Sequence, residues 1–120
     1  MIQVKQSKIH GMGVFATKNI EIGELVESCP YLKFSKKDRV YIDQTDLYNY
    51  YFVKPGKNDN PLLALGFGSI YNHSSSANLS VAIDKARITF TAVKMIRAGD
   101  ELFINYNGDP NSKKKPFFEC

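Results

Sequence analysis

Asn72-His73-Ser74, carried in Gly66-Phe-Gly-Ser-Ile-Tyr-Asn-His-Ser-Ser-Ser-Ala-Asn78, sets an amide beside an imidazole at the end of a small, apolar run. Each of these side chains offers both a donor and an acceptor, so together they can read a polar ring edge such as a purine's. A polar turn bonded to its own backbone is the competing reading of the stretch. Two further pieces carry comparable chemistry. His10-Gly-Met-Gly-Val-Phe-Ala16 places two glycines one residue apart, which either lets backbone N–H groups approach a ligand or closes a tight hairpin turn. Gly99-Asp-Glu-Leu-Phe-Ile-Asn-Tyr106 leads from a turn into an apolar segment that ends on a phenol.

The elements that must position these pieces read as short strands. Turn signals recur roughly every ten residues, which indicates a mainly β domain. Strands are expected near 2–4, 14–16, 24–34, 79–83, 87–93 and 101–106, with 79–83 and 87–93 forming a hairpin. Pro30 is expected to interrupt the strand over 24–34 and implies an edge position or a bulge there. Residues 35–44 read as a surface loop or an irregular helix. Residues 45–53 hold three tyrosines and a phenylalanine and read as a strand, either as core packing or as an aromatic wall beside a ligand. Pro55 to Pro61 reads as a loop.

The totals narrow the class. A chain of 120 residues, 43% hydrophobic and 23% charged, makes one ordinary globular domain. No apolar run approaches the ~20 residues of a membrane-spanning helix. The first residues lack the apolar stretch of a signal peptide, so an intracellular location is expected. Cys29 and Cys120 give neither metal-ligand spacing nor a disulfide framework. The net charge of +4 permits attraction to acidic partners without requiring it.

In this order and at these separations, the three pieces closely resemble the SET-domain protein lysine methyltransferases, over about residues 3–109. The lack of cysteine-rich flanks is most similar to the small viral and bacterial members. The resemblance implies a mainly β fold, the β-clip of short curled sheets with little helix, in which the C-terminal segment threads a loop to form a pseudoknot. It implies a SET domain over 1–109 and a short tail over 110–120. The implied reaction is methyl transfer from S-adenosylmethionine to a lysine side-chain amine, releasing S-adenosylhomocysteine.

By resemblance, Tyr106 is the catalytic tyrosine. His10, Gly11, Met12 and Gly13 hold the cofactor through backbone groups, Asn72 bonds its amino-acid end, and His73 meets the adenine largely through backbone. Tyr50 contributes to both the cofactor site and the lysine channel, and Tyr71 is either a packing residue or one that borders the channel. Glu101 fits the motif and is assigned a structural part. Many family members follow the tyrosine with a zinc-binding Cys-x-Cys segment; Asn107-Gly-Asp-Pro-Asn stands here instead, so no metal is expected. Either Phe117 and Phe118 fold back to close the channel, or a second subunit of a homodimer supplies the missing wall. The implied substrate is a lysine-bearing protein, with histone tails first, in a host nucleus for a viral enzyme. A basic DNA-associated or ribosomal protein in the cytoplasm is the alternative for a bacterial one. A non-catalytic β-clip module binding a ligand or peptide is a rival reading, countered by the intact Tyr106 motif. Direct nucleic-acid binding is not expected, because the tyrosines at 48–51 are flanked mainly by acidic and neutral residues.

Overall fold

A computed structural model describes residues 1–53 and 60–106. Among the described residues, eight strands form two four-stranded sheets. The first contains β1 (Ile2–Gln6), β2 (Met12–Ala16), β5 (Asn72–His73) and β8 (Glu101–Ile104), in the order β1-β2-β8-β5. The second contains β3 (Leu25–Lys33), β4 (Leu62–Ala64), β6 (Leu79–Ile83) and β7 (Arg87–Ala92), in the order β4-β3-β7-β6. All pairings are antiparallel except β5 with β8, which runs parallel.

Alternation explains which faces turn inward. On β7, Ile88, Phe90 and Ala92 are buried while Thr89 and Thr91 are only partly covered. On β8, Leu102 and Ile104 are buried, and on β2 Val14 and Ala16. With Ile20, Leu79 and Ile96 these side chains form one core. Burying such aliphatic and aromatic groups is worth about 1.5–3 kcal/mol each, which the ordering of the chain largely offsets. The β6–β7 hairpin closes on Asp84, whose Oδ1 accepts the N–H groups of Ala86 and Arg87, both at 2.7 Å.

Two local expectations are corrected. The aromatic segment 45–53 is not a strand: a 3-10 helix, Asp46–Asn49, occupies it. The Thr45 hydroxyl accepts the Leu47 N–H at 3.2 Å, a cap that outweighs the strand preference of the tyrosines. Only Phe52 joins a strand-like contact, a bridge to Leu62. Strand β3, in turn, runs through Pro30 without a break. The missing donor falls where β3 exchanges one neighbour for another, pairing with β7 up to Pro30 and with β4 from Tyr31. The bulge lies earlier, between Leu25 and Glu27. Residues 35–44 contain a regular helix, α1 (Lys36–Ile42), capped by Ser35 and burying none of its side chains.

Candidate active site

Strand β8 brings the three chemical pieces together by lying between β2 and β5. Asn72 pairs with Phe103 and His73 with Ile104, so the Asn-His pair runs alongside the path to Tyr106. Beyond the strand, the Tyr106 backbone N–H donates to His73 Nδ1 at 3.0 Å. The two rings lie 5.1 Å apart, tilted by 50°. The Tyr106 hydroxyl turns back to donate to the Tyr71 carbonyl at 2.8 Å. Burial lowers the pKa of His73, which favours the neutral ring this arrangement uses.

Asn72 is buried and joins the pieces from behind. Its side-chain amide is directed at the carbonyls of His10 (3.0 Å) and Met12 (3.1 Å) and at Glu101 Oε2 (2.8 Å). Three acceptors around one nitrogen fix the orientation of the amide. The other oxygen of Glu101 accepts the Ser7 hydroxyl at 2.7 Å. Ser7 Oγ in turn accepts the Ile9 N–H at 3.0 Å and, more weakly, that of His10 at 3.4 Å, which folds the 7–10 loop. Gly13 is buried against the same carboxylate, and a Cβ there would collide with Glu101 Oε2. Gly11 differs: its φ is +49° and a Cβ would meet nothing within 4 Å. The second asparagine, Asn78, fastens β8, donating to the Glu101 carbonyl at 3.0 Å and accepting the Phe103 N–H at 2.7 Å.

Above this network lies an open cleft of about 220 Å³. His10, Gly11, Met12, Tyr50, Asn72 and Tyr106 all line it, together with Val4, Asn49 and Ile70. Gly13 and His73 stand outside that lining and act on it through Glu101 and Tyr106. The Tyr71 ring is directed into the core, 4.6 Å from the Phe90 ring, with its hydroxyl on Glu27 Oε1 at 2.7 Å. Burial, then the Glu27 charge, raises its pKa, so it remains a phenol. What Tyr71 offers the cleft side is its carbonyl. Phe117 and Phe118 lie outside the described residues.

Sequence reasoning passed over Ser7, Glu27 and Asn49. Ser7, three residues before His10, carried a turn signal that could have been read. Glu27 carried none, since its donors sit 40 and 44 positions away.

The SET-domain family model matches residues 11–107. A Schizosaccharomyces pombe histone-lysine N-methyltransferase, H3 lysine-37 specific, is 32% identical over 109 residues, covering 88% of this chain and 72% of that protein. A Plasmodium falciparum variant-silencing SET domain-containing protein is 31% identical over 123 residues, again 88% of this chain but only 5% of its own length. Among solved structures, an autoinhibited Chaetomium thermophilum Polycomb Repressive Complex 2 bound to S-adenosylmethionine superposes with a TM-score of 0.73. It is 29% identical, and the match covers 92% of this chain and 16% of that one. The chain therefore belongs to the SET-domain family.

Proposed function

We propose that the protein is a protein-lysine N-methyltransferase that uses S-adenosylmethionine and acts on lysines of histone tails. The observation that carries this reading is the Tyr106 hydroxyl held on the Tyr71 carbonyl at the edge of a cleft that Asn72 and the 10–12 segment also line.

The cleft has the chemistry to hold the cofactor. Gly11 leaves its side of the loop open, and Met12, Ile70, Val4 and Tyr50 give apolar walls for a purine and a thioether-like chain. His10, Asn49 and Asn72 supply polar groups for the amino-acid end and the ring edge. When bound, S-adenosylmethionine supplies a methyl group on a positively charged sulfur. The lysine amine must be neutral to attack, although a free lysine side chain has a pKa of about 10.4. Desolvation in the cleft, beside a sulfonium, disfavours the ammonium, and the proton leaves to water. With the cofactor bound, the amine lone pair would form the new N–C bond as the methyl–sulfur bond breaks, the sulfur leaving as the neutral thioether of S-adenosylhomocysteine. Tyr106 contributes orientation. Its hydroxyl donates to the Tyr71 carbonyl, and a phenol oxygen that donates in this way is also able to accept an amine N–H. Holding that N–H directs the nitrogen lone pair along one line of approach.

The test is incubation with methyl-labelled S-adenosylmethionine and mixed histones, beside a Tyr106→Phe variant. Labelled histone with the wild type and a drop of about a hundredfold in the variant are expected, in line with losing one positioned polar group. Cofactor binding without any transfer would instead identify a ligand-binding module.

A further inference from the structure

We infer that Glu27 is a positioning residue for this methyl transfer: its carboxylate fastens both ends of the 66–71 turn and thereby sets where the Tyr71 carbonyl meets the Tyr106 hydroxyl. The inference rests on the functional reading above. Glu27 sits on β3, in the sheet that does not carry Asn72 or Tyr106's strand. It follows directly on the bulge between Leu25 and Glu27, the kind of irregularity that re-aims a side chain. Oε2 accepts the Phe67 N–H at 2.9 Å, at the start of the turn. Oε1 accepts the Tyr71 hydroxyl at 2.7 Å, at its end. A Cβ on Gly66 would lie 2.6 Å from Oε2, so the backbone approaches the carboxylate closely.

Both ends of Tyr71 are thus held. Its phenol is on Glu27, its ring packs against Phe90, and its carbonyl receives the Tyr106 hydroxyl. The next residue is Asn72, which ties down the His10 and Met12 carbonyls. Glu27 itself does not line the cleft, so it acts through Tyr71. The Phe67 N–H and the Tyr71 hydroxyl both converge on it, and an ionised carboxylate accepts the two with charge-assisted bonds. A glutamine has one acceptor oxygen and must turn its NH₂ toward one of the donors.

Steady-state kinetics with labelled S-adenosylmethionine and mixed histones test the inference on wild type, Glu27→Gln, Tyr71→Phe and the double variant. Each single change is expected to lower kcat about tenfold, with the cofactor KM held within about twofold, because the interaction acts on the transfer geometry. The double variant is expected to fall no further than the weaker single, since both changes cut the same link. Unchanged kcat in Tyr71→Phe overturns the inference, as do losses that multiply in the double variant or a kcat loss matched by an equal rise in cofactor KM. Tyr71→Phe keeps the ring volume and decides the matter alone if Glu27→Gln does not fold. Wild type without turnover overturns the functional reading itself, whereas active wild type with equally active variants overturns only the role of Glu27.

Discussion

His73 Nδ1 accepts the backbone N–H of Tyr106 at 3.0 Å, so the imidazole stands behind the phenol as its main-chain anchor. This bond needs an unprotonated Nδ1, because an imidazolium has no acceptor lone pair. Burial lowers the His73 pKa in the folded protein. As pH falls, the unfolded chain therefore takes up this proton first, near the ordinary value of about 6.5. The stability that neutral His73 contributes is complete above that pH and is lost as pH falls through the lower, folded pKa. Thermal unfolding midpoints of the wild type are expected to decline as pH drops from about 6.5 toward 5, with a flatter profile in His73→Gln. An identical slope in the two proteins would show that the anchor does not titrate.

The two glycines of His10-Gly-Met-Gly13 are expected to fail for different reasons. Gly11 has room for a side chain but a φ of +49°, a left-handed conformation that asparagine tolerates and β-branched residues resist. Gly13 lacks the room, since its Cβ position is taken by the Glu101 carboxylate and Ser7 Cβ lies 3.1 Å away. Gly11→Asn should stay within about 1 kcal/mol of wild type, while Gly11→Val should lose more. Gly13→Ala should cost about 1–3 kcal/mol through overpacking. Denaturant titration measures all three, and a Gly13→Ala protein as stable as wild type would mean that Glu101 moves aside freely.

Legibility followed the range over which each interaction acts. The β6–β7 hairpin is readable because its alternation and its Asp84 turn are local. Asn72 and Tyr106 stand out as residue types at informative spacings, and the cleft joins them with Tyr50. The segment 45–53 misleads because its aromatics suggest a pleated surface, whereas the shorter-range Thr45 cap decides its backbone. Pro30 suggests an interrupted strand, and only the exchange of neighbours from β7 to β4 explains why none occurs. Ser7 and Glu101 bond across 94 positions, and no periodicity links them. Such long-range polar pairs emerge only once the sheet order is known.

Cys29 provides a probe of the core beneath the 66–71 turn. Burial first, then the neighbouring Glu27 charge, pushes its thiol pKa up to about 12. A protonated, buried thiol is a poor nucleophile. In a Cys120→Ser background, the native protein is expected to resist alkylation at pH 8 over hours, and to react within minutes once unfolded in guanidinium. Ready labelling of the native protein would reveal opening of the segment that carries Tyr71, since Gly68 lies against the Cys29 sulfur.

Glu101 should govern cofactor affinity more than turnover. Its carboxylate takes the Ser7 hydroxyl on one oxygen and the Asn72 amide on the other, so it ties the 7–13 loop to the strand that leads to Tyr106. Glu101→Ala leaves the Ser7 hydroxyl without its acceptor and takes one of three acceptors from the Asn72 amide, at a cost of about 1–3 kcal/mol in stability. The His10–Met12 wall of the cleft then keeps its bonds to Asn72 but loses the carboxylate that braces the loop through Ser7, while the Tyr106–Tyr71 bond keeps its own support. Calorimetric titration with S-adenosylmethionine is expected to show binding weakened about tenfold, with kcat at saturating cofactor reduced far less. The same loss should appear in Ser7→Ala to a smaller degree, because that change removes one donor and leaves the Asn72 contact intact. If Glu101→Ala binds the cofactor as wild type does and instead loses kcat, the carboxylate belongs to the transfer step and not to the loop.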